Sequence, residues 1–481
     1  PETFLGMPCV PDVAALALDP VDLLIVALPA GPAVAMVEAL IAQGGGAAVV
    51  GLVAGGIGDG ADHDGLAGRL TSALDAARRS GAWTPAVLGP NLLGHVVPAL
   101  GLDTTFIPSE RWRPEARPGT LTLLSQSGAF LLSRLAAAPG LGLGFGLALG
   151  NQLDVDLADV LEALGTPPAA PSPAGTPMHA VHASEETHAS DARSGAELHA
   201  VAAYVEGFAP DALRRTALAA RGLSAAGKRV LLYRAGRTDA GQRAAASHTG
   251  AMAGDLVLER AVLTRAGVSL APTMRAFEAG LRWLSAYPDL EVGPVAILSN
   301  AGFETVCAAD RLAPSLAAEL DADTTARLES LLAAHGLGQL VTPRLPLDLT
   351  PMASLEAYQD VIRLIAEGDA LHARSDLAPA TRHTARPVIL VGLVPFTRRL
   401  DLTSPERVAT FVRALAAIGE GGPGPVAPRL ALVLDGGPAW EALRRALAET
   451  GLPVFAAMED AFAGLDLLAL PSRPLGATLS G

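Results

Sequence analysis

The stretch "TLTLLSQSGA", Thr120 to Ala129, decides the fold. A run suited to a buried strand ends at Ser125, a polar turn follows, and an apolar helical pattern opens at Gly128. Parallel strands need a crossover, and the crossover is usually a helix, so strand, short turn and helix in direct succession mark a parallel sheet. The same order recurs along the chain. "VDLLIVAL" (Val21–Leu28), "AAVVGLV" (Ala47–Val53), "GFGLALG" (Gly144–Gly150), "HAVAAYVEG" (His199–Gly207), "RVLLYRAG" (Arg229–Gly236), "VAILSNAG" (Val295–Gly302), "PVILVGLVP" (Pro387–Pro395) and "LALVLDGG" (Leu430–Gly437) all read as buried strands. The alternation predicts an α/β protein whose chemistry lies outside the carboxyl ends of its strands, where helix N-termini also point.

At 481 residues the chain exceeds one ordinary core, and domain sizes of about 100–200 residues suggest roughly three domains. Two polar or Pro-containing segments, "RWRPEARP" (Arg111–Pro118) and "YPDLEVG" (Tyr287–Gly293), each precede a fresh strand. Units are therefore expected over residues 1–112, 118–288 and 293–470. Gly165 to Gly195, rich in Pro, Ser and Ala, breaks the pattern and reads as a disordered surface insertion. His179, His182, His188 and His199 lie in or beside it, but without cysteine partners or ligand spacing they predict no metal site. Ala373 to Ala385 reads as a second polar loop.

The formal net charge is −14, so no basic excess is available to neutralise the phosphates of nucleic acid or an anionic membrane surface. Cys9 and Cys307 are too distant in sequence for a disulfide framework or zinc spacing, which fits a reducing compartment. Apolar stretches such as "LAAAPGLGLGFGLALG" from Leu135 are broken by Pro and Gly and fall short of the roughly 20 residues of a membrane span. The opening "PETFLGMPCV" shows no secretory leader. A cytoplasmic protein is expected.

Three strand ends carry candidate chemistry. In "SQSGA" (Ser125–Ala129), hydroxyls and free backbone N–H groups at the positive end of a helix dipole make an anion site. "YVEG" (Tyr204–Gly207) sets a carboxylate, Glu206, at the end of an apolar strand. "RAGRTDAGQRAAASHTGAMAG" (Arg234–Gly254) has no large apolar residue before Met252 and reads as a small-residue loop around one imidazole, His248. A carboxylate bonded to one ring nitrogen would fix the tautomer and leave the other nitrogen nucleophilic, with room for a phosphoryl group. Taken singly, each has an ordinary structural reading: a capping or surface histidine, a solvated strand end, a serine N-cap.

Together the motifs resemble the α subunit, or α half, of the NDP-forming acyl-CoA synthetases, the succinyl-CoA synthetase superfamily that includes ADP-forming acetyl-CoA synthetase. Segments such as "LGPNLLGHVVPALGLDTTF", "LALGNQLDVDLADVLEAL" and "LPLDLTP" follow the family's order, and the "GRT…SHTGA" run is the most specific. The resemblance implies a truncated Rossmann-like CoA-binding domain followed by two flavodoxin-like domains. It implies that His248 carries a phosphoryl group, that Glu206 steadies it, and that Ser125, Ser127, Gly128, Thr249 and Gly250 bind phosphate. Pro29, Asn91 and Leu92 would line the CoA or acyl pocket. Coenzyme A would be the cofactor of this chain. ATP or ADP with Mg would be held by an ATP-grasp partner, as a β subunit or a C-terminal domain, and the small-molecule substrates would be acyl-CoA and phosphate.

This sequence departs from the family pattern in three places. Leu92 stands in "GPNLLG" where the family commonly has Cys, and Leu345-Pro346 where Asn-Pro is usual. The strand and Gly-rich turn that open the family's CoA-binding domain do not precede "FLGMPCVPDV", which leads to an expectation of weak CoA binding. The alternative reading is a non-catalytic CoA-binding regulatory module resembling the synthetase-like part of protein lysine acetyltransferases, in which the histidine is typically lost; the retained His248 favours the enzyme. A nicotinamide oxidoreductase has no G-x-G-x-x-G fingerprint in its support.

Overall fold

The computed structural model describes residues 3–469 except 5, 19, 20, 61, 63, 109, 113–115, 167–198, 210, 250–254, 368, 369, 374–385 and 420–427. Three main sheets organise them. The first is parallel, with strands β1 (Val21–Val26), β2 (Ala47–Leu52) and β3 (Ala86–Leu88) in that order. Its crossovers are α1 (Ala30–Gln43) and α2 (Leu66–Ser80). Val34, Val37, Leu40, Leu70 and Leu74 recur at helical spacing and bury one face of each helix against Val50 and Leu52.

The second sheet has seven strands: β4 (His95–Val97), β5 (Leu102–Asp103), β6 (Arg117–Ser125), β7 (Gly142–Ala148), β8 (Ala200–Val205), β9 (Arg229–Arg234) and β10 (Val268–Leu270). Their spatial order is β10-β9-β8-β6-β7-β4-β5, parallel from β10 to β7 and antiparallel beyond. The connecting helices are α3 (Gly128–Ala137), α4 (Leu157–Gly165), α5 (Ala212–Ala225), α6 (Asp239–Thr249) and α7 (Leu256–Arg265). After β10, α8 (Met274–Ala286) leads to the third sheet.

That sheet is all parallel, with β11 (Val295–Ser299), β12 (Leu347–Asp348), β13 (Val388–Leu393), β14 (Arg429–Leu434) and β15 (Val454–Phe455) in the order β12-β11-β13-β14-β15. Helices α9 (Gly302–Arg311), α10 (Ala322–Ala334), α11 (Leu355–Ala366), α12 (Pro405–Gly419), α13 (Glu441–Ala448) and α14 (Met458–Ala469) complete the unit. The second and third sheets share one continuous core, which runs from Leu121 and Leu123 through Trp283 to Phe455 and Leu465. Gly464 makes the close approach possible, since a Cβ there would stand 2.5 Å from the Trp283 ring. Trp283 Nε1 donates to the Ala461 carbonyl at 3.0 Å, and Tyr287 Oη to the Leu430 carbonyl at 2.8 Å.

All nine strands read from the sequence are strands, and the α/β class with parallel sheets holds. Two readings are corrected. The β4–β5 hairpin, counted with residues 1–112, belongs to the second sheet, because His95 and Val96 pair with Leu147 and Gly146 of β7. The first sheet thus ends at Leu88, well before Arg111. The second correction concerns Asp239–Thr249, expected as loop, which forms α6. Its run of small residues is Ala-rich, and alanine is the best helix former. The Thr238 hydroxyl accepts from Gly241 N–H at 3.1 Å and so caps its start.

Of the expected insertion, Gly165 ends α4 and residues 167–195 lie outside the described residues, as do His179, His182 and His188. Ala373 ends a short strand (Leu371–Ala373) paired with Ala318–Leu320, and 374–385 lie outside the described residues. Among the described residues no helix is long and apolar enough to cross a membrane.

Candidate functional site

The carboxyl edge of the second sheet gathers two of the three motifs. Strands β6, β8 and β9 are neighbours, with Tyr204 in register with Ser125 and Val205 with Arg234. The Ser125–Gly128 turn, the Glu206–Gly207 turn and the segment leading into α6 therefore leave the sheet side by side.

Ser125 is fully buried, and its hydroxyl donates to the Ser127 carbonyl at 2.6 Å while accepting from the Ser127 N–H at 3.2 Å. These bonds shape the turn that leads into α3. Ser127 caps α3 by accepting from Phe130 N–H at 3.3 Å. The first intrahelical bond runs from Leu131 N–H to the Ser127 carbonyl. The N–H groups of Gly128 and Ala129 precede it, at a half-buried and an exposed position, at the positive end of the helix dipole.

Glu206 is buried, and its backbone is clamped from both sides. Its N–H donates to Gln126 Oε1 at 2.8 Å, and its carbonyl accepts from the Arg234 guanidinium. Among the described residues its Oε2 is buried without a hydrogen-bond partner. An unpartnered buried acceptor is costly, by about 1–3 kcal/mol, unless a donor meets it. Burial and the neighbouring Glu206 carboxylate push the Tyr204 phenol well above its ordinary range. Tyr204 stacks on Phe130, ring centroids 4.1 Å apart, and on Tyr233 at 6.0 Å, while Arg237 lies over Tyr233 at 4.5 Å.

His248 and Thr249 lie in the last turn of α6, the crossover that leaves β9 at the same edge; their side chains, and Gly250 altogether, lie outside the described residues. Two residues not singled out from the sequence hold this edge. Gln126 ties the Ser125–Gly128 turn to β8, and its signal was its place inside "SQSGA". Arg234 joins the Glu206 carbonyl to Glu259 of α7 through a buried ion pair at 2.7 Å. A charged residue closing the apolar strand "VLLYR" was the only trace of it.

The three residues expected at a CoA or acyl pocket separate. Pro29, exposed, precedes α1 after β1, and Asn91, exposed with φ 57°, follows β3. Both stand at the carboxyl edge of the first sheet. The loop after β2 lies between them: a Cβ on Gly55 would be 3.8 Å from Asn91 Oδ1, and one on Gly56 3.9 Å from Ala30 Cβ. Leu92 instead is buried, packed with Leu124, Leu147 and Leu149, and its Cδ2 would lie 2.8 Å from a Cβ on Gly51 of β2.

The two edges meet. A Cβ on Gly128 would lie 2.7 Å from Leu93 Cβ, so the start of α3 abuts the segment that follows Asn91. A Cβ on Gly150 would lie 2.2 Å from the Pro90 carbonyl oxygen, and Asn151 N–H donates to that carbonyl at 2.8 Å. Among the described residues no group of three or more His, Cys, Asp or Glu could hold a metal ion.

Comparison with known proteins agrees with this architecture. The model of the succinyl-CoA ligase-like flavodoxin domain matches residues 118–171 and 185–283. The chain is 29% identical over 293 residues to an ADP-forming acetate–CoA ligase I subunit alpha of Pyrococcus furiosus, covering 60% of this chain and 54% of that one. It is 28% identical over 373 residues to an ADP-forming acetate–CoA ligase I of Archaeoglobus fulgidus, covering 76% and 47%. The chain thus spans about half the length of these curated relatives. A dinucleotide-forming acetyl-coenzyme A synthetase 1 of Ca. Korarchaeum cryptofilum, solved with phosphate and ADP, shares the fold with a TM-score of 0.72 at 19% identity, over 98% of this chain and 87% of that one.

Proposed function

From a chain that is a relative of the ADP-forming acetate–CoA ligases and carries a succinyl-CoA ligase-like flavodoxin domain, we propose the CoA-binding and phosphoryl-carrying component of an NDP-forming acyl-CoA synthetase. The observation that carries this reading is the contact of Gly128 with Leu93, which brings an anion-binding helix start against the loop edge that bears Pro29 and Asn91. A thioester held at that edge sits beside a phosphate held at the start of α3.

The chemistry then runs in three balanced steps. A phosphate oxygen attacks the thioester carbonyl, the C–S bond breaks, and the thiolate leaves as CoA after taking a proton. A ring nitrogen of His248 attacks the phosphorus of the acyl phosphate, and the carboxylate leaves. The β-phosphate oxygen of ADP finally takes the phosphoryl group from His248, forming ATP. The helix start at Ser127–Gly128 offsets charge on the phosphoryl group, and the unpartnered Oε2 of Glu206 accepts the N–H of the other ring nitrogen, which keeps the first one nucleophilic. Thr249 and Gly250, beside His248, complete the phosphate contacts. ADP and Mg are held by an ATP-grasp partner, as a β subunit or as a C-terminal domain.

Incubation with radiolabelled acetyl phosphate, or with ATP and the partner, tests this directly. The protein should take up phosphate that is stable to base and labile to acid. His248→Ala should abolish the label with the fold intact; label surviving that substitution places the carrier elsewhere.

A further inference from the structure

The second and third units face each other across a cleft of about 380 Å³ that lies apart from both loop edges described above. One wall is α8, which contributes Arg275, Glu278, Ala279 and Arg282 at i, i+3, i+4 and i+7; the other is α13, which contributes Glu441, Arg444, Arg445 and Ala448 at the same spacing. Each helix therefore turns one stripe, with two arginines and one carboxylate, into the same space. Asp460, at the start of α14, is the third carboxylate.

The carboxylates are already engaged. Asp460 binds Arg275, with one contact at 3.1 Å, and Glu441 binds Arg444 at 2.7 Å. Glu278 pairs with Arg134, which does not line the cleft, so its charge is drawn away from it. Arg444 is held further by the Leu434 and Gly437 carbonyls at 3.1 and 2.8 Å. Arg282 differs. Its guanidinium donates to the Ala137 carbonyl at 3.1 Å and forms no ion pair among those found in the described residues. Burial pulls it below the usual arginine range, although Glu441 and Asp460 act in the opposite direction. A guanidinium has five donors in a planar fork that suits oxyanions, and a desolvated one gains most from such a partner.

We propose that this cleft binds a small polyanion bearing at least two oxyanion groups, which engages Arg282 and bridges α8 and α13. The ligand chemistry is that of a phosphate ester or a polycarboxylate, because both present paired oxygens to an arginine fork. Occupancy would tie the second unit to the third at a place distinct from the phosphoryl site, and so couple ligand level to the packing of the two units.

Calorimetric titration of the full chain with inorganic pyrophosphate, and separately with citrate, tests the proposal; the tighter of the two identifies which source the cleft prefers. Arg282→Gln should weaken binding at least about ten-fold, the loss expected for one charge-assisted contact. Arg445→Gln serves as a second variant, and the unliganded melting temperature of each confirms that it folds. Arg363→Gln on α11, with the same loss of charge, should bind as the wild type does. The proposal is overturned if Arg282→Gln and Arg445→Gln both keep wild-type affinity, if Arg363→Gln weakens binding as much as Arg282→Gln, or if the wild type gives no heat with either anion at millimolar concentration.

Discussion

Gly128, the first residue of α3, lies so close to Leu93 that any Cβ added to it would stand 2.7 Å from the leucine Cβ and 3.2 Å from its Cδ2. Real side chains do not approach so closely, so the start of α3 and the segment after Asn91 fit together only with glycine there. Gly128→Ala should displace one of the two, at about 1–3 kcal/mol, the usual cost of overpacking. Denaturant unfolding should report that loss, and phosphoryl labelling should fall further than the stability loss explains. A variant that keeps wild-type labelling would separate the helix start from the reaction.

Glu206 presents a buried oxygen that has no partner among the described residues. Glu206→Gln keeps the shape but removes the charge that would orient and support an imidazole carrying a phosphoryl group. Labelling of His248 should slow by roughly ten- to a hundred-fold, in the range of supporting hydrogen bonds to catalytic groups. Stopped-time labelling of the variant at several pH values reads this; a rate equal to wild type would leave Glu206 without a part in transfer.

The ion pair of Arg234 with Glu259, 8% and 6% exposed at their side chains, holds β9 to α7 and the Glu206 carbonyl to both. Glu259→Ala leaves a buried guanidinium uncompensated, and breaking such pairs costs about 3–5 kcal/mol. Chemical unfolding should show a loss of that order, with labelling reduced in step because the Glu206 turn loses its anchor.

Glu304, at the first turn of α9, is buried, and its Oε2 accepts from the Ser299 hydroxyl. Burial pushes its carboxyl up to about 7 from an ordinary value of 4.5; the Ser299 bond opposes this, and Asp435 and Glu459 add to it. The folded state therefore holds this proton more tightly than the unfolded state does. Its stabilising effect is complete below about pH 4.5, is lost as the pH rises towards about 7, and changes little beyond, a decline on the order of 3 kcal/mol. Glu304→Gln should flatten that decline when unfolding free energies are compared from pH 5 to pH 8; an unchanged slope would assign it to other groups.

Much of the fold was legible because it rests on local signals. Buried parallel strands show as short apolar runs, as in "VAILS" and "VILVGL", and their helices as apolar faces at helical spacing. The turn chemistry of "SQSGA" was equally visible, since Ser127 caps α3 through bonds within a few residues. Alanine content misled the reading of Asp239–Thr249, because small residues suit both an open loop and a helix, and the Thr238 cap decides between them.

What the sequence determined by itself is therefore the class of the protein and the list of its chemical groups: parallel α/β sheets, a serine-capped helix start, a strand-end carboxylate and one histidine among small residues. Tertiary structure alone decided which sheet takes the β4–β5 hairpin, that Leu92 is core while Asn91 is exposed, and that Gly128 and Leu93 touch. It also decided the pairing of Arg234 with Glu259 and the facing stripes of α8 and α13. The physical reason is range. Propensity, capping and periodicity act between residues a turn apart, whereas these contacts join residues far apart in the chain, and nothing local distinguishes a leucine or an arginine that will meet such a partner from one that will not.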